Sequence, residues 1–95
     1  MIIAEDFTVD SSGNYDPVTV PDGAWGARRI RVFEKQTPSH QYYLAHRANP
    51  ATSERSLHTL GQVHEFSERV YQPGEILAYI ALDSGSADFT IEAQV

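Results

Sequence analysis

The stretch ILAYIALDSGSADFTIEAQV, residues 76–95, decides how this chain is read. In its second half Phe89, Ile91, Ala93 and Val95 alternate with Thr90, Glu92 and Gln94. Successive side chains on a strand point to opposite faces, so this period of two gives one buried face and one wet face. The first half, Ile76 to Leu82, is apolar throughout, as suits a central strand covered on both sides. Between them Asp83-Ser84-Gly85-Ser86 predicts a four-residue hairpin, with Gly85 free to take positive φ.

The same pattern extends towards the N-terminus. Turn signals recur at Ser11-Ser12-Gly13-Asn14, Pro21-Asp22-Gly23, Pro38-Ser39, Asn49-Pro50, Gly61 and Pro73-Gly74. Such spacing, about 8–12 residues between turns, marks a sandwich or barrel. Ile3, Phe7 and Val9 share one face of a first strand, and Ile30 and Val32 oppose Arg29, Arg31 and Phe33 on another. Gln41 to His46 reads as a further strand through Tyr42, Tyr43 and Leu44. The segment from 50 to 70 reads two ways. Thr52 to Arg55 can open a short helix, with Leu57, Leu60 and Val63 at helical spacing. Alternatively, Leu57-His58-Thr59 and Val63-His64-Glu65 form a hairpin around Gly61, which is preferred because glycine weakens a helix by about 1 kcal/mol. The expectation is one all-β domain over residues 1–95, a two-layer antiparallel sandwich of jelly-roll or Ig-like topology. Its expected core is Phe7, Ile30, Val32, Ile76, Ile80, Phe89 and Ile91.

Ninety-five residues without cysteine allow one modest core, no disulfide and no thiol chemistry. Seven Lys and Arg against thirteen Asp and Glu leave a net charge of −6. Nucleic acid and anionic membrane surfaces are therefore disfavoured partners, because both are bound by cations. No window reaches the roughly 20 apolar residues of a membrane-spanning helix. The opening Met1-Ile2-Ile3-Ala4-Glu5-Asp6 lacks the marks of a signal peptide, so a complete, untargeted chain starting at its own Met1 is expected.

Chemistry-bearing patterns are incomplete. His58 and His64 lie symmetrically about Gly61, but two imidazoles need further ligands to hold a metal. Asp10 to Asp16 spaces oxygen side chains like the start of a calcium loop. However, its Gly13 is fourth instead of sixth, and Pro21 stands where the twelfth-position Glu belongs. No nucleophile elbow, phosphate loop or dinucleotide fingerprint occurs, and nothing brings Glu5, Asp6, Glu65 and Glu68 together in a cleft. No catalytic residue, metal or cofactor is assigned. Trp25, in Asp22-Gly23-Ala24-Trp25-Gly26, either anchors a partner or folds back as a lid on the core. Tyr42 and Tyr43 face opposite ways, so one joins the core and the other is a contact residue. Arg28, Arg29, Arg31 and Lys35 cluster on an acidic chain. They read as a solvated strand face, or as a positive face suited to head-to-tail assembly.

The C-terminal run from Tyr71-Gln72-Pro73-Gly74 through Ser84-Gly85-Ser86 to Ile91 joins a Pro-Gly turn, a Tyr-bearing strand, a Ser-Gly turn and an alternating last strand. This pattern resembles jelly-roll sandwiches, among them bacterial pre-peptidase C-terminal domains, carbohydrate-binding modules and small virion proteins of tailed phages. The short, acidic, leaderless chain favours the phage resemblance. That resemblance implies a non-enzymatic capsid decoration or cement protein, made in the host cytoplasm and carried on the virion. It further implies self-association, with a trimer preferred, and docking on the major capsid protein or another virion protein. The expected contact residues are Trp25, Arg28, Arg29, Arg31, Tyr42 and Tyr43. The alternative is a glycan-binding module or adsorption accessory protein, with Trp25 and an exposed tyrosine as the sugar platform.

Overall fold

The computed structural model describes residues 1–10, 14–35, 40–58 and 61–95. Among them are eight strands: β1 (Ile2–Asp10), β2 (Asp16–Thr19), β3 (Arg29–Glu34), β4 (Tyr42–Ala45), β5 (Arg55–His58), β6 (Val63–Phe66), β7 (Ile76–Leu82) and β8 (Ser86–Gln94). They form two four-stranded antiparallel sheets, ordered β1-β8-β3-β6 and β2-β7-β4-β5. The expected two-layer sandwich is therefore present. Of the two topologies considered, the order is that of the jelly roll, with its paired Greek keys, and not the Ig-like one.

The core is built from alternate residues of the strands. In the first sheet Val9, Ala87, Phe89, Ile91, Ala93, Ile30 and Val32 point inward, as the period of two predicts. In the second, Val18, Tyr42, Ile80 and Leu82 meet them. Phe89 is fully enclosed between the stacked ring of Phe7, centroids 5.6 Å apart, and the edge-on ring of Tyr42 at 5.1 Å. Edge-on and offset aromatic contacts add attraction beyond the area buried.

Several expectations fail in informative ways. The hairpin expected at Asp83 to Ser86 is an arch: β7 and β8 belong to opposite sheets, and Asp83-Ser84-Gly85 carries the chain across, with Gly85 at φ 72°. Likewise β5 and β6 are not a hairpin about Gly61 but the outer strands of different sheets. The strands that follow one another and pair are β4 and β5, across residues 46–54, where the helical alternative survives as a single 3-10 turn at Thr52–Glu54. Face alternation cannot separate an arch from a hairpin, since both leave each strand with the same wet and dry sides. Ile76 is 49% exposed instead of buried. The β2–β7 register slips between Val18 and Thr19, so that Thr19 pairs with Ile76, and Leu77 packs against the core in its place. Phe7 is only partly buried. The turns expected at residues 11–13 and 38–39 lie outside the described residues, as do Thr59 and Leu60.

Ile91, 2% exposed at the centre of the first sheet, and Ile76 make a matched pair for testing these faces. Ile91→Ala should lower unfolding free energy by about 2–5 kcal/mol, and Ile76→Ala by less than about 1 kcal/mol, read from urea denaturation midpoints. Equal losses would show that the faces of β7 are misassigned.

Candidate functional site

The two outer faces of the sandwich differ in charge, while both carry exposed aliphatic side chains, Ile2 and Val63 on the first and Leu57 and Ile76 on the second. On the β1-β8-β3-β6 face, cations alternate with acids across strands. Arg29 Nε lies 2.5 Å from Glu65, Arg31 3.8 Å from Glu92, and Lys35 Nζ 2.5 Å from Asp6. Asp6 also accepts from Thr90 at 2.8 Å, and Thr8 donates to Asp88 at 2.6 Å. The ammonium of Lys35, then the Thr90 hydroxyl, hold the Asp6 carboxyl below its ordinary range, and Asp6 in turn raises Lys35. The positive face expected from Arg29 and Arg31 is therefore not formed, because strand pairing sets an acid beside each. Arg28 is exposed and carries no ion pair among the described residues.

The β2-β7-β4-β5 face has the opposite character. Register places Pro17, Tyr79, Ala45 and Arg55 in one row, and Ala81, Tyr43 and Leu57 in the next. Thr19 and Ile76 extend it along β2 and β7. No acid occupies these positions. Leu57 is 50% exposed, and the Arg55 guanidinium lies over the Tyr43 ring, 5.2 Å from its centroid. Of the tyrosine pair, Tyr42 joins the core and Tyr43 faces out.

Trp25 is 72% exposed, so the lid reading fails. Its turn is held on both sides without it: Ala27 pairs with Tyr71, the Gly26 amide donates to Gln72, and Ala24 fills the buried position. It lies at the end of the sandwich that holds Met1 and Val95, whose backbones are hydrogen-bonded to each other.

Polar side chains gather at the other end, inside the sandwich. Tyr42 Oη lies 2.7 Å from His64 Nε2, and the rings of His58 and His64 meet edge to face with centroids 4.5 Å apart. His58 Nδ1 lies 2.9 Å from the Gln62 side-chain oxygen, whereas its buried Nε2 has no partner among the described residues. Glu34, buried on β3, holds His40 Nδ1 at 2.5 Å. Burial, reinforced by His58, pushes His64 down to about 4. Burial, reinforced by Glu34, pushes the Tyr42 hydroxyl up to about 12, so it stays protonated and donates to the neutral imidazole. Sequence symmetry about Gly61 found the histidine pair for the wrong reason: the two meet across the core and not across a hairpin. Parity was the available signal for the rest, since Glu34 continues the inward series Ile30, Val32, and His64 shares its face with Phe66.

Two concavities accompany these features. A hollow of about 50 Å³ beside Ile2, Arg31 and Glu92 has room for little more than water. A groove of about 230 Å³ runs between β1 and β2, walled by Glu5 and Asp16 and floored by Phe7, Val18 and Ile91. Among the described residues, no three His, Cys, Asp or Glu side chains converge as a metal-binding set. No family model, curated protein or solved structure matches this chain.

The His64 environment predicts a pH dependence. Because its folded pKa, about 4, lies below the roughly 6.5 of an unfolded histidine, the unfolded chain binds the proton first as pH falls. Its stability contribution is complete above about pH 6.5 and is lost down to about pH 4, a loss on the order of 1–3 kcal/mol for this partly buried ring. NMR titration should give a His64 midpoint near 4. Tyr42→Phe, which removes the donor to the neutral ring, should raise that midpoint. An ordinary midpoint in the intact protein would contradict the buried arrangement.

Proposed function

We propose that this chain is a non-enzymatic docking domain, a virion structural protein of the capsid-decoration kind, which packs its β2-β7-β4-β5 face onto another protein surface. The single observation carrying this reading is the contrast between the faces. On a chain of net charge −6, one outer face has no acid at its paired strand positions among the described residues and presents Leu57, Ile76, Tyr43 and Tyr79, while the other sets an acid beside each of its strand cations. A patch of aromatic and aliphatic side chains, with an arginine at its border, has the composition of an interface core, where charges are depleted and Tyr and Arg enriched. The jelly-roll strand order suits the resemblance to small phage virion proteins, and self-association together with capsid docking belongs to the same proposal. Trp25, Arg28, Arg29, Arg31 and Tyr42 move out of the first rank of contact residues on this reading: Arg29 and Arg31 are engaged with Glu65 and Glu92, Tyr42 is core, and Tyr43 remains.

Trp25 supports the second reading. A tryptophan 72% exposed on a tight turn is a natural stacking platform for a sugar ring, and glycan binding would use that end of the sandwich instead of the sheet face.

Light scattering and co-sedimentation with candidate partner particles separate the two. Leu57→Glu with Ile76→Glu should leave folding intact and weaken association about 10–100-fold, as charge placed in an interface core does. A protein that stays monomeric at high concentration and whose glycan-array binding disappears in Trp25→Ala would promote the sugar reading and end the docking one.

A further inference from the structure

The strands β5 and β6 are the least anchored in the sandwich. Each has four residues, each pairs on one side only, and no ladder joins them to each other. In β5, Arg55, Ser56 and Leu57 are exposed, and His58 is the sole residue turned partly inward. In β6 the inward residues are His64 and Phe66. The contact spanning the two sheets between these strands is therefore the edge-to-face pair of His58 and His64, with Tyr42 reaching from β4 to His64 Nε2. Segments with few buried contacts open locally at far lower cost than the whole fold.

We propose that the His58–His64 contact is an acid-labile clasp, and that protonation of His64 releases β5 and β6 at this end of the sandwich while β1, β8, β3, β2, β7 and β4 remain folded.

The groups around the pair leave a proton no favourable place. On β5 the neighbour is His58 itself. On β4 it is Tyr42, whose hydroxyl needs the His64 lone pair as acceptor and loses it when His64 is protonated. On β3 it is Glu34, which is already engaged with His40, while Val32 is the register partner of His64. From β8 comes the apolar ring of Phe89, against Tyr42. Between β5 and β6 the described residues 61–62 add the Gln62 side-chain oxygen, bound to His58 Nδ1. Glu65, on β6 itself, faces outward onto Arg29. A proton on His64 beside the His58 ring would lie in a partly buried region and lose the Tyr42 donor, and the imidazolium is better hydrated with the strands apart. Opening exposes one edge of each sheet, β3 and β4, at the same end of the molecule.

Hydrogen exchange of the whole chain, compared at about pH 7.5 and 4.5 after correction for intrinsic rates, reads the clasp. Amides of residues 55–58 and 63–66 should lose roughly tenfold or more in protection at the lower pH and exchange faster than those of 2–9 and 86–94, which stay the better protected at both pH values. In His58→Gln with His64→Gln that acid response of β5 and β6 should vanish. The proposal is overturned if β5 and β6 exchange no faster than β1 and β8 at the lower pH, if β5 and β6 show no loss, or if the double variant responds unchanged. Stoichiometric zinc binding at neutral pH that slows exchange in these strands would also overturn it, since the cluster would then be a metal site. Should the double variant not fold, NMR of the intact protein decides. The backbone shifts of β5 and β6 must move with the His64 titration, and stationary shifts would sink the idea.

Discussion

Everything in this sandwich is arranged about the inner face of β8. Phe89 and Ile91 fill the centre of one sheet, flanked by β1 and β3, and Phe89 also meets the opposite sheet through Tyr42. A chain of 95 residues has little apolar surface to spare, so both sheets must share a single core. The jelly-roll path achieves this by sending most successive strands to opposite sheets, leaving β4–β5 as the in-plane connection. Each sheet is then held by strands distant in sequence, with β1 against β8 as the most extensive pairing. Cooperative assembly of N- and C-terminal strands follows directly, and with it a slow, topology-limited search during folding.

Which side of each strand is dry was legible from residue alternation alone. Ile30, Val32, Phe89 and Ile91 are buried because a period of two on a half-covered sheet admits no other arrangement. What alternation cannot encode is the identity of the neighbour. Ser84-Gly85 looks the same whether the chain turns back beside itself or crosses to the other layer, because both paths need a tight bend with a residue at positive φ. The exposed position of Ile76 was hidden for a related reason: a register slip at Thr19 resets parity, and nothing in the local sequence announces it. The ion pairing of Arg29 and Arg31 likewise depends on which strands lie alongside β3, and both partners, Glu65 and Glu92, come from far along the chain.

The polar cluster at one end reflects the same topology. Inward positions near the ends of β3, β4, β5 and β6 carry Glu34, Tyr42, His58 and His64, where larger apolar side chains would give a more ordinary core. Polar groups in such a place are tolerated only when they satisfy one another, as Tyr42 does His64 and Glu34 does His40. Among the described residues the His58 Nε2 of this cluster has no partner, and it sits in the strand that has least else to hold it.

On the proposed reading, docking and stability draw on different parts of the molecule. The charged face engages its strand cations in cross-strand pairs, which contribute modestly to stability when solvent-exposed. The apolar face contributes almost nothing to the core, because Leu57 and Ile76 point away from it. Exposed aliphatic surface with no structural role carries a solubility cost in an isolated domain. Retaining it on the sheet face with no acid at its paired strand positions among the described residues is what a domain needs when that face is covered by something else. β5 is where the two properties meet: its outward Leu57 belongs to the apolar face and its inward His58 to the polar cluster. A partner seated on that face would therefore bear on the strand the cluster holds in place, so that occupancy of the face and the protonation of His64 act on one element.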